Sequence, residues 1–259
     1  MLLEGKVAIV SGVGPGLGQA NARALAREGA TVVLAARNAE YLEQVRAEIE
    51  RSGGSAEAVP TNVVEREQVS ALVERTADRY GRLDVLVNNA FRMDRGQPFA
   101  EADLDLWRKV FEVNFWGALT LTQAALPHLA ATAAEHGDAS VVFVLSMSMR
   151  KIRPNEGGYA TSKGALHTAV QSLALELGPR KVRVNGVAPG WIAGAERRDV
   201  HRVGVAVARR RAGGRPARDR GPHPARRDPP AGRHRELRGV LRLALVPRRH
   251  RADARRQRR

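Results

Sequence analysis

Short apolar runs alternate with longer amphipathic stretches over residues 1–194 of the chain. The runs cover residues 6–10, 31–35, 56–60, 85–87, 141–145 and 182–187, and most of their positions are Val, Leu, Ile or Ala. Helical spacing occupies residues 17–28, 39–52, 65–80, 103 to about 134, and 159–177. In the second of these, Tyr41, Leu42, Val45 and Ile49 share one face; in the first, Leu25 sits among small residues. Apolar strands separated by helices predict a parallel sheet covered on both faces. Right-handed crossovers then wind helices onto both sides, so the expected class is α/β with a doubly wound parallel sheet.

The pattern stops after Gly194. Residues 195–259 are rich in Arg, Pro, Gly and Ala with almost no apolar periodicity, a composition that predicts disorder. Charge divides at the same point. The tail carries 22 Arg, no Lys and 6 acidic residues, whereas residues 1–194 hold 21 basic and 21 acidic side chains. The whole formal charge of +16 therefore belongs to the tail, and so does any partner inferred from it. The expected organisation is a single nucleotide-binding and catalytic domain over 1–194 and a disordered tail over 195–259. The absence of Cys excludes disulfides and thiolate metal sites, and no metal is expected. The start, MLLEGKVAIVSG, has neither the basic opening nor the long apolar stretch of a signal peptide. No later run is long enough to span a bilayer, so a cytoplasmic protein without a membrane partner is expected.

The segment SGVGPGLG, residues 11–18, follows the first strand and opens the first helix. Gly12, Gly16 and Gly18 have the spacing G-x-x-x-G-x-G. A chain that turns tightly and admits a pyrophosphate to its backbone needs positions without a Cβ. The helix start at Gly16, Leu17 and Gly18 then offers unpaired N–H groups to the anion. An ordinary glycine-rich turn is the plain alternative, and the strand–loop–helix–strand context favours dinucleotide binding on a Rossmann fold.

These residues resemble the short-chain dehydrogenase/reductase family, as do Asn88-Asn89-Ala90, Asn114, Ser146, Tyr159-x-x-x-Lys163 and the run RVNGVAPG at 183–190. The resemblance covers residues 5 to about 194 and implies an NAD(P)-dependent oxidoreductase acting on a small alcohol or carbonyl compound. It places Asn89 and Ala90 beside the cofactor, with Phe91 where the family usually has Gly. Asn62-Val63 stands where Asp-Val is usual near the adenine, and an amide still accepts and donates hydrogen bonds. Pro189, Gly190 and the backbone of Ile192 are placed at the nicotinamide. The second strand ends in Ala36 rather than an acid, and Arg37 follows; a guanidinium pairs with a 2′-phosphate, so NADP(H) is preferred over NAD(H). A solvated Arg37 is the alternative.

A carbonyl that gains or loses a hydride needs a proton handled at its oxygen. Tyr159 is the candidate acid/base, but a free phenol titrates at about 10. A nearby ammonium favours the phenolate, and Lys163 is one helical turn away on the same face. By the resemblance, Lys163 also contacts the nicotinamide ribose, Ser146 polarises the substrate carbonyl, and Asn114 holds a relay water. Ser148 competes with Ser146. Met147, Met149, Phe91, Met93 and Trp191 line the substrate side or simply pack. Taken singly, each polar residue here also reads as an ordinary helix or strand-end group.

In this family the chain continues with a substrate-covering helix pair, a further helix and a seventh strand ending Gly-Gly. None is legible here. Read one nucleotide late, the codons of residues 248–259 permit AVTGQTLDVNGG, which resembles that strand, and Arg242-Leu243 permits Ala-Ser. A frame change shortly after Gly194 explains the arginine-rich ending. It would remove a sheet-edge strand, the lid and the surface that pairs subunits; the parent is expected to be a homo-dimer or homo-tetramer. Two rival readings stand beside the enzyme. One is a basic nucleic-acid binder; against it, residues 195–259 contain no aromatic side chain to stack on bases, so only incidental polyanion binding is expected. The other is a silent dinucleotide-binding regulator, against which Tyr159 and Lys163 argue. Sequencing the gene across codons 194–220 is expected to reveal a one-base change that restores a family-like ending; an ending that no such change restores refutes the frame hypothesis.

Overall fold

The computed structural model describes residues 1–94 and 96–190. Six strands form one parallel sheet: β1 (Val7–Ser11), β2 (Thr31–Ala36), β3 (Ser55–Pro60), β4 (Val85–Asn88), β5 (Ala139–Val144) and β6 (Val182–Val187). Their order is β3-β2-β1-β4-β5-β6. The connecting helices are α1 (Leu17–Arg27), α2 (Ala39–Arg51), α3 (Arg66–Tyr80), α4 (Leu104–Phe111), α5 (Ala118–His136) and α6 (Gly157–Leu177). This is the expected Rossmann architecture, with its strand order reversing between β1 and β4.

Because successive strand residues point to opposite faces, each apolar run feeds two cores. Ile9, Val33, Leu86, Val141 and Phe143 pack with α3, α5 and α6 on one face. Ala8, Val10, Val32, Leu34 and Val87 pack with α1 and α2 on the other. Only a sheet covered on both sides tolerates runs such as VVFV, and β5 is buried throughout. The edge strand β3 is more polar. Its Glu57 is buried but accepts hydrogen bonds from Arg75 Nε (2.6 Å) and the Tyr80 hydroxyl (2.8 Å).

The long helix expected from 103 to about 134 runs from residue 104 to 136 but is not α-helical throughout. Asp103 caps α4, its Oδ1 accepting from the N–H groups of Asp105 and Leu106. A π-helical turn, Glu112–Gly117, then separates α4 from α5. Apolar periodicity does not reveal this turn, because it depends on contacts distant in sequence. Gly117 is pressed against Val63, where a Cβ would lie 2.9 Å from Val63 Cγ2, and Asn114 is turned inward. Helix α6 begins two residues earlier than expected, at Gly157 rather than Tyr159, because Asp94 and Trp107 hold its glycines. The expected tail and the presence or loss of a seventh strand lie outside the described residues. Among the described residues no helix is long and apolar enough to cross a membrane.

Asn21, on α1, is 1% exposed, and neither polar atom of its side chain has a hydrogen-bond partner among the described residues. Removing buried unsatisfied polar atoms relieves a cost of about 1–3 kcal/mol each. Asn21→Val is therefore expected to raise Tm by about 2–4 °C, as about 1 kcal/mol does in a chain of this size. Thermal denaturation followed by circular dichroism checks this, and a lower Tm is the contrary result.

Candidate active site

The glycine loop and the end of β4 meet over the strand-order reversal. Gly12 has φ +70°, and a Cβ there would lie 2.4 Å from Ala90 Cα. A Cβ on Gly18 would lie 2.3 Å from the Gly12 carbonyl oxygen. Both positions admit only glycine. Gly16 caps α1 at φ +107° with no side-chain hydrogen bond to the first turn, leaving the amides at Leu17 and Gly18 to face an anion. Asn89 Nδ2 donates to the Gly12 carbonyl at 2.8 Å. Ser11 Oγ donates to the Val87 carbonyl (3.3 Å) and accepts from Asn89 N (3.2 Å). A loop whose closest approaches any side chain would fill, beside a helix start with free donors, fits a dinucleotide's diphosphate.

The other expected cofactor contacts follow the ends of β2, β3 and β6. Arg37 is exposed at the end of β2. Its neighbour Asn38 caps α2 by accepting from Tyr41 N at 3.0 Å. Asn62 is half-buried; its backbone N–H donates to Gln68 Oε1 at 2.8 Å, and its Nδ2 reaches Glu65 Oε1 at 3.4 Å. Val63 is buried against Gly117. Pro189 is buried and Gly190 exposed just past β6, and the Pro189 carbonyl accepts from Met147 N at 3.0 Å. Ile192 and Trp191 lie outside the described residues.

At the same end of the sheet, Ser146 follows β5; its hydroxyl accepts from Ser148 N at 3.1 Å and lies near enough to the Tyr159 phenol to favour its ionised form. Ser148, the competitor, turns instead toward Glu156 Oε2 at 3.4 Å. Lys163 is 2% exposed; its Nζ donates to the Val144 carbonyl at 2.8 Å and lies 5.8 Å from the centre of the Tyr159 ring. Asn114 sits in the π turn. Its Oδ1 accepts from Arg92 N (2.7 Å), and its Nδ2 donates to the Arg92 carbonyl (3.0 Å) and to Ser162 Oγ (3.0 Å). Its amide is thus occupied in gripping the segment after β4, and one lone pair of Oδ1 is what its side chain has left for a water.

The short chain dehydrogenase family profile matches residues 6–202. An uncharacterized oxidoreductase of Methylorubrum extorquens is 39% identical over 212 residues, 82% of each chain. The 3-ketoacyl-(acyl-carrier-protein) reductase of Brucella melitensis, solved with NADH, superposes with a TM-score of 0.69 at 32% identity, covering 73% of this chain and 76% of that one. A metagenomic short-chain oxidoreductase solved with NADP gives 0.69 at 33% identity, covering 74% and 85%. The chain belongs to the short-chain dehydrogenase family.

In this short-chain dehydrogenase, burial raises the Tyr159 phenol above its ordinary pKa; the Ser146 hydrogen bond offsets part of the rise, and Glu156 adds to it. The sequence expectation was a phenol lowered by Lys163. Here Lys163 is directed at a backbone carbonyl, and its own burial lowers its pKa to about 8. Four contributors escaped the sequence reading: Ser11, Asp94, Trp107 and Ser162. Ser11 begins the glycine segment and so carried some signal. The other three act through contacts that no local spacing announces.

Keeping a charged Lys163 buried costs stability at neutral pH. Between about pH 8 and 10.5 the unfolded chain still binds a proton that the folded one has released, so stability rises with pH across that window. Below about pH 8 both states carry it and the full cost remains. Lys163→Met is therefore expected to raise Tm at pH 7, with the gain shrinking above about pH 8. Melts at pH 7, 8 and 9.5 test this, and a gain that grows with pH contradicts it.

Proposed function

We propose that this protein is an NADP(H)-preferring oxidoreductase that interconverts a small alcohol and its carbonyl compound, with Tyr159 as proton donor and acceptor. The observation that carries the reading is Lys163 buried one turn beyond Tyr159 on α6 with its Nζ 5.8 Å from the centre of the phenol ring, and Ser146 acting on the same phenol. Ser146 orients the substrate oxygen toward the phenol. Lys163, when protonated, favours the phenolate and so makes proton removal feasible below the phenol's own pKa. Asn114 anchors the segment after β4 and offers its remaining lone pair to a relay water. Gly12, Gly16, Leu17 and Gly18 hold the diphosphate; Asn62 and Val63 flank the adenine; Asn89, Ala90, Tyr159, Lys163, Pro189 and Gly190 border the nicotinamide riboside, with Ile192 assigned there by family resemblance. The bound nicotinamide supplies or takes up the hydride. Arg37 pairs with the 2′-phosphate that distinguishes NADP(H).

The arginine-rich tail bears on how much of this chemistry the chain delivers. If it replaces a lid and a subunit-pairing surface, turnover is weak and the expected homo-oligomer does not assemble. Its 22 Arg attract polyanions without sequence preference, and salt abolishes that binding. NADPH-dependent carbonyl reduction at ordinary family rates would show the tail to be harmless.

Tyr159→Phe is expected to lower kcat by roughly 10²–10⁴-fold, the usual contribution of a positioned acid/base, while leaving NADPH affinity within about twofold. Arg37→Ala is expected to weaken NADPH by about tenfold and leave NADH nearly unchanged, since the lost charge-assisted bond is worth about 1.5 kcal/mol. Steady-state kinetics and fluorescence titration read both. A fully active Tyr159→Phe protein rejects the proton-transfer assignment, and equal loss of both dinucleotides rejects the Arg37 assignment.

A further inference from the structure

The first turn of α6 is weakly built by its own sequence. Glu156, at the N-cap, makes no side-chain hydrogen bond to the turn. Two glycines follow, each about 1 kcal/mol worse than Ala inside a helix. First-turn N–H groups have no partner within the helix. Yet Tyr159 is the third residue of this turn.

What holds the turn comes from elsewhere in the chain. One carboxylate oxygen of Asp94, Oδ2, accepts from the N–H groups of Gly158 (2.7 Å) and Tyr159 (3.2 Å). The Trp107 indole of α4 presses on the same two glycines. A Cβ at Gly157 would lie 2.5 Å from Trp107 Cη2, and one at Gly158 would lie 2.8 Å from Trp107 Cγ and 2.9 Å from Asp94 Oδ2. Phe99 meets the indole edge-on at 5.9 Å between ring centres. The glycines weaken the helix intrinsically but admit the ring and the carboxylate. Asp94 ends a short strap that is gripped at two earlier points: Ala90 against Gly12, and the Arg92 N–H and carbonyl on Asn114.

The geometry points to Asp94 as a positioning residue: its carboxylate, backed by Trp107, fixes the backbone of Tyr159 relative to the dinucleotide loop through the strap of residues 90–94. This rests on the role proposed above for Tyr159. An anionic acceptor at a helix start is favoured by both the hydrogen bonds and the helix dipole. Loss of the anchor would let the turn shift, and a misplacement of about 1 Å can cost about 10² in rate. The second oxygen, Oδ1, is buried with no partner among the described residues, so the hold on the turn uses a single oxygen. An amide carbonyl in the same place can provide it.

The test uses the full chain and does not depend on turnover. The groups facing the phenol are Ser146 at the end of β5, Glu156 ahead of the helix and Lys163 within it, while Asp94 on the strap meets the backbone N–H of Tyr159 and not its side chain. Ultraviolet titration of Tyr159, taken as the difference between each protein and its Tyr159→Phe counterpart, reads the phenol's surroundings. In Asp94→Ala the raised phenol pKa is expected to fall back toward about 10 as the turn loosens and water enters. In Asp94→Asn it stays raised. With NADPH and a ketone panel of acetophenone, cyclohexanone and ethyl acetoacetate, Asp94→Ala loses roughly 10- to 100-fold in kcat while NADPH affinity is kept, and Asp94→Asn recovers most of the loss. Equal shifts of the phenol in both variants indicate a charge effect alone and overturn the proposal, as does an unshifted phenol in Asp94→Ala. Should Asp94→Ala not fold, Gly158→Ala decides, because its Cβ crowds both Trp107 and the carboxylate; an unmoved phenol there also overturns it. If Tyr159→Phe keeps its activity, the proton-transfer role fails, and the titration still decides whether Asp94 sets the phenol's position.

Discussion

The arrangement leans on a meeting of two backbones. Where β1 and β4 run out of the sheet, Gly12 and Ala90 approach so closely that no side chain fits on the glycine. That contact closes the two central strands over the point of order reversal and sets the height of the glycine loop. It also fixes the start of the strap that runs from Ala90 past Arg92 to Asp94. Asn89 and Ser11 stitch the same seam with side-chain hydrogen bonds. The glycine loop and Tyr159, the residue proposed to handle the proton, lie on elements more than a hundred residues apart in sequence and are thereby brought into one frame.

Much of this was legible beforehand, and for identifiable reasons. The four inner strands announced themselves because a sheet buried on both faces must be apolar at nearly every position, as in VVFV of β5. Gly12 and Gly18 announced themselves because their chemistry is steric and local. Tyr159 and Lys163 share a helix, so their spacing carries their relation. What stayed hidden depends on distant partners. Nothing near Asp94 in sequence says that it will cap a helix some sixty residues later. Nor does apolar periodicity say that the long helix widens into a π turn at Glu112–Gly117, since the inward turn of Asn114 follows from Arg92 and Ser162. Lys163 shows a related limit: a spacing places a cation near a phenol but does not give the cost of burying it.

The pair at the centre of the site is held under opposing demands. Burial disfavours the charged forms of both Tyr159 and Lys163, raising one pKa and lowering the other. Two titrations that ordinarily lie close together near 10 are thereby driven apart, Lys163 down to about 8 and Tyr159 upward, so at neutral pH the phenol rests neutral while the lysine still largely carries its proton.

The π turn between α4 and α5 has an evolutionary corollary. Such a turn takes up an additional residue while the helices on either side keep their separate packing, α4 toward α6 and α5 toward the sheet. Deleting a single residue there would leave an uninterrupted helix, swing Asn114 off the strap and rotate one half away from its neighbours. Helices on protein surfaces commonly absorb gaps at their ends; this one should be closed to insertions and deletions at its middle.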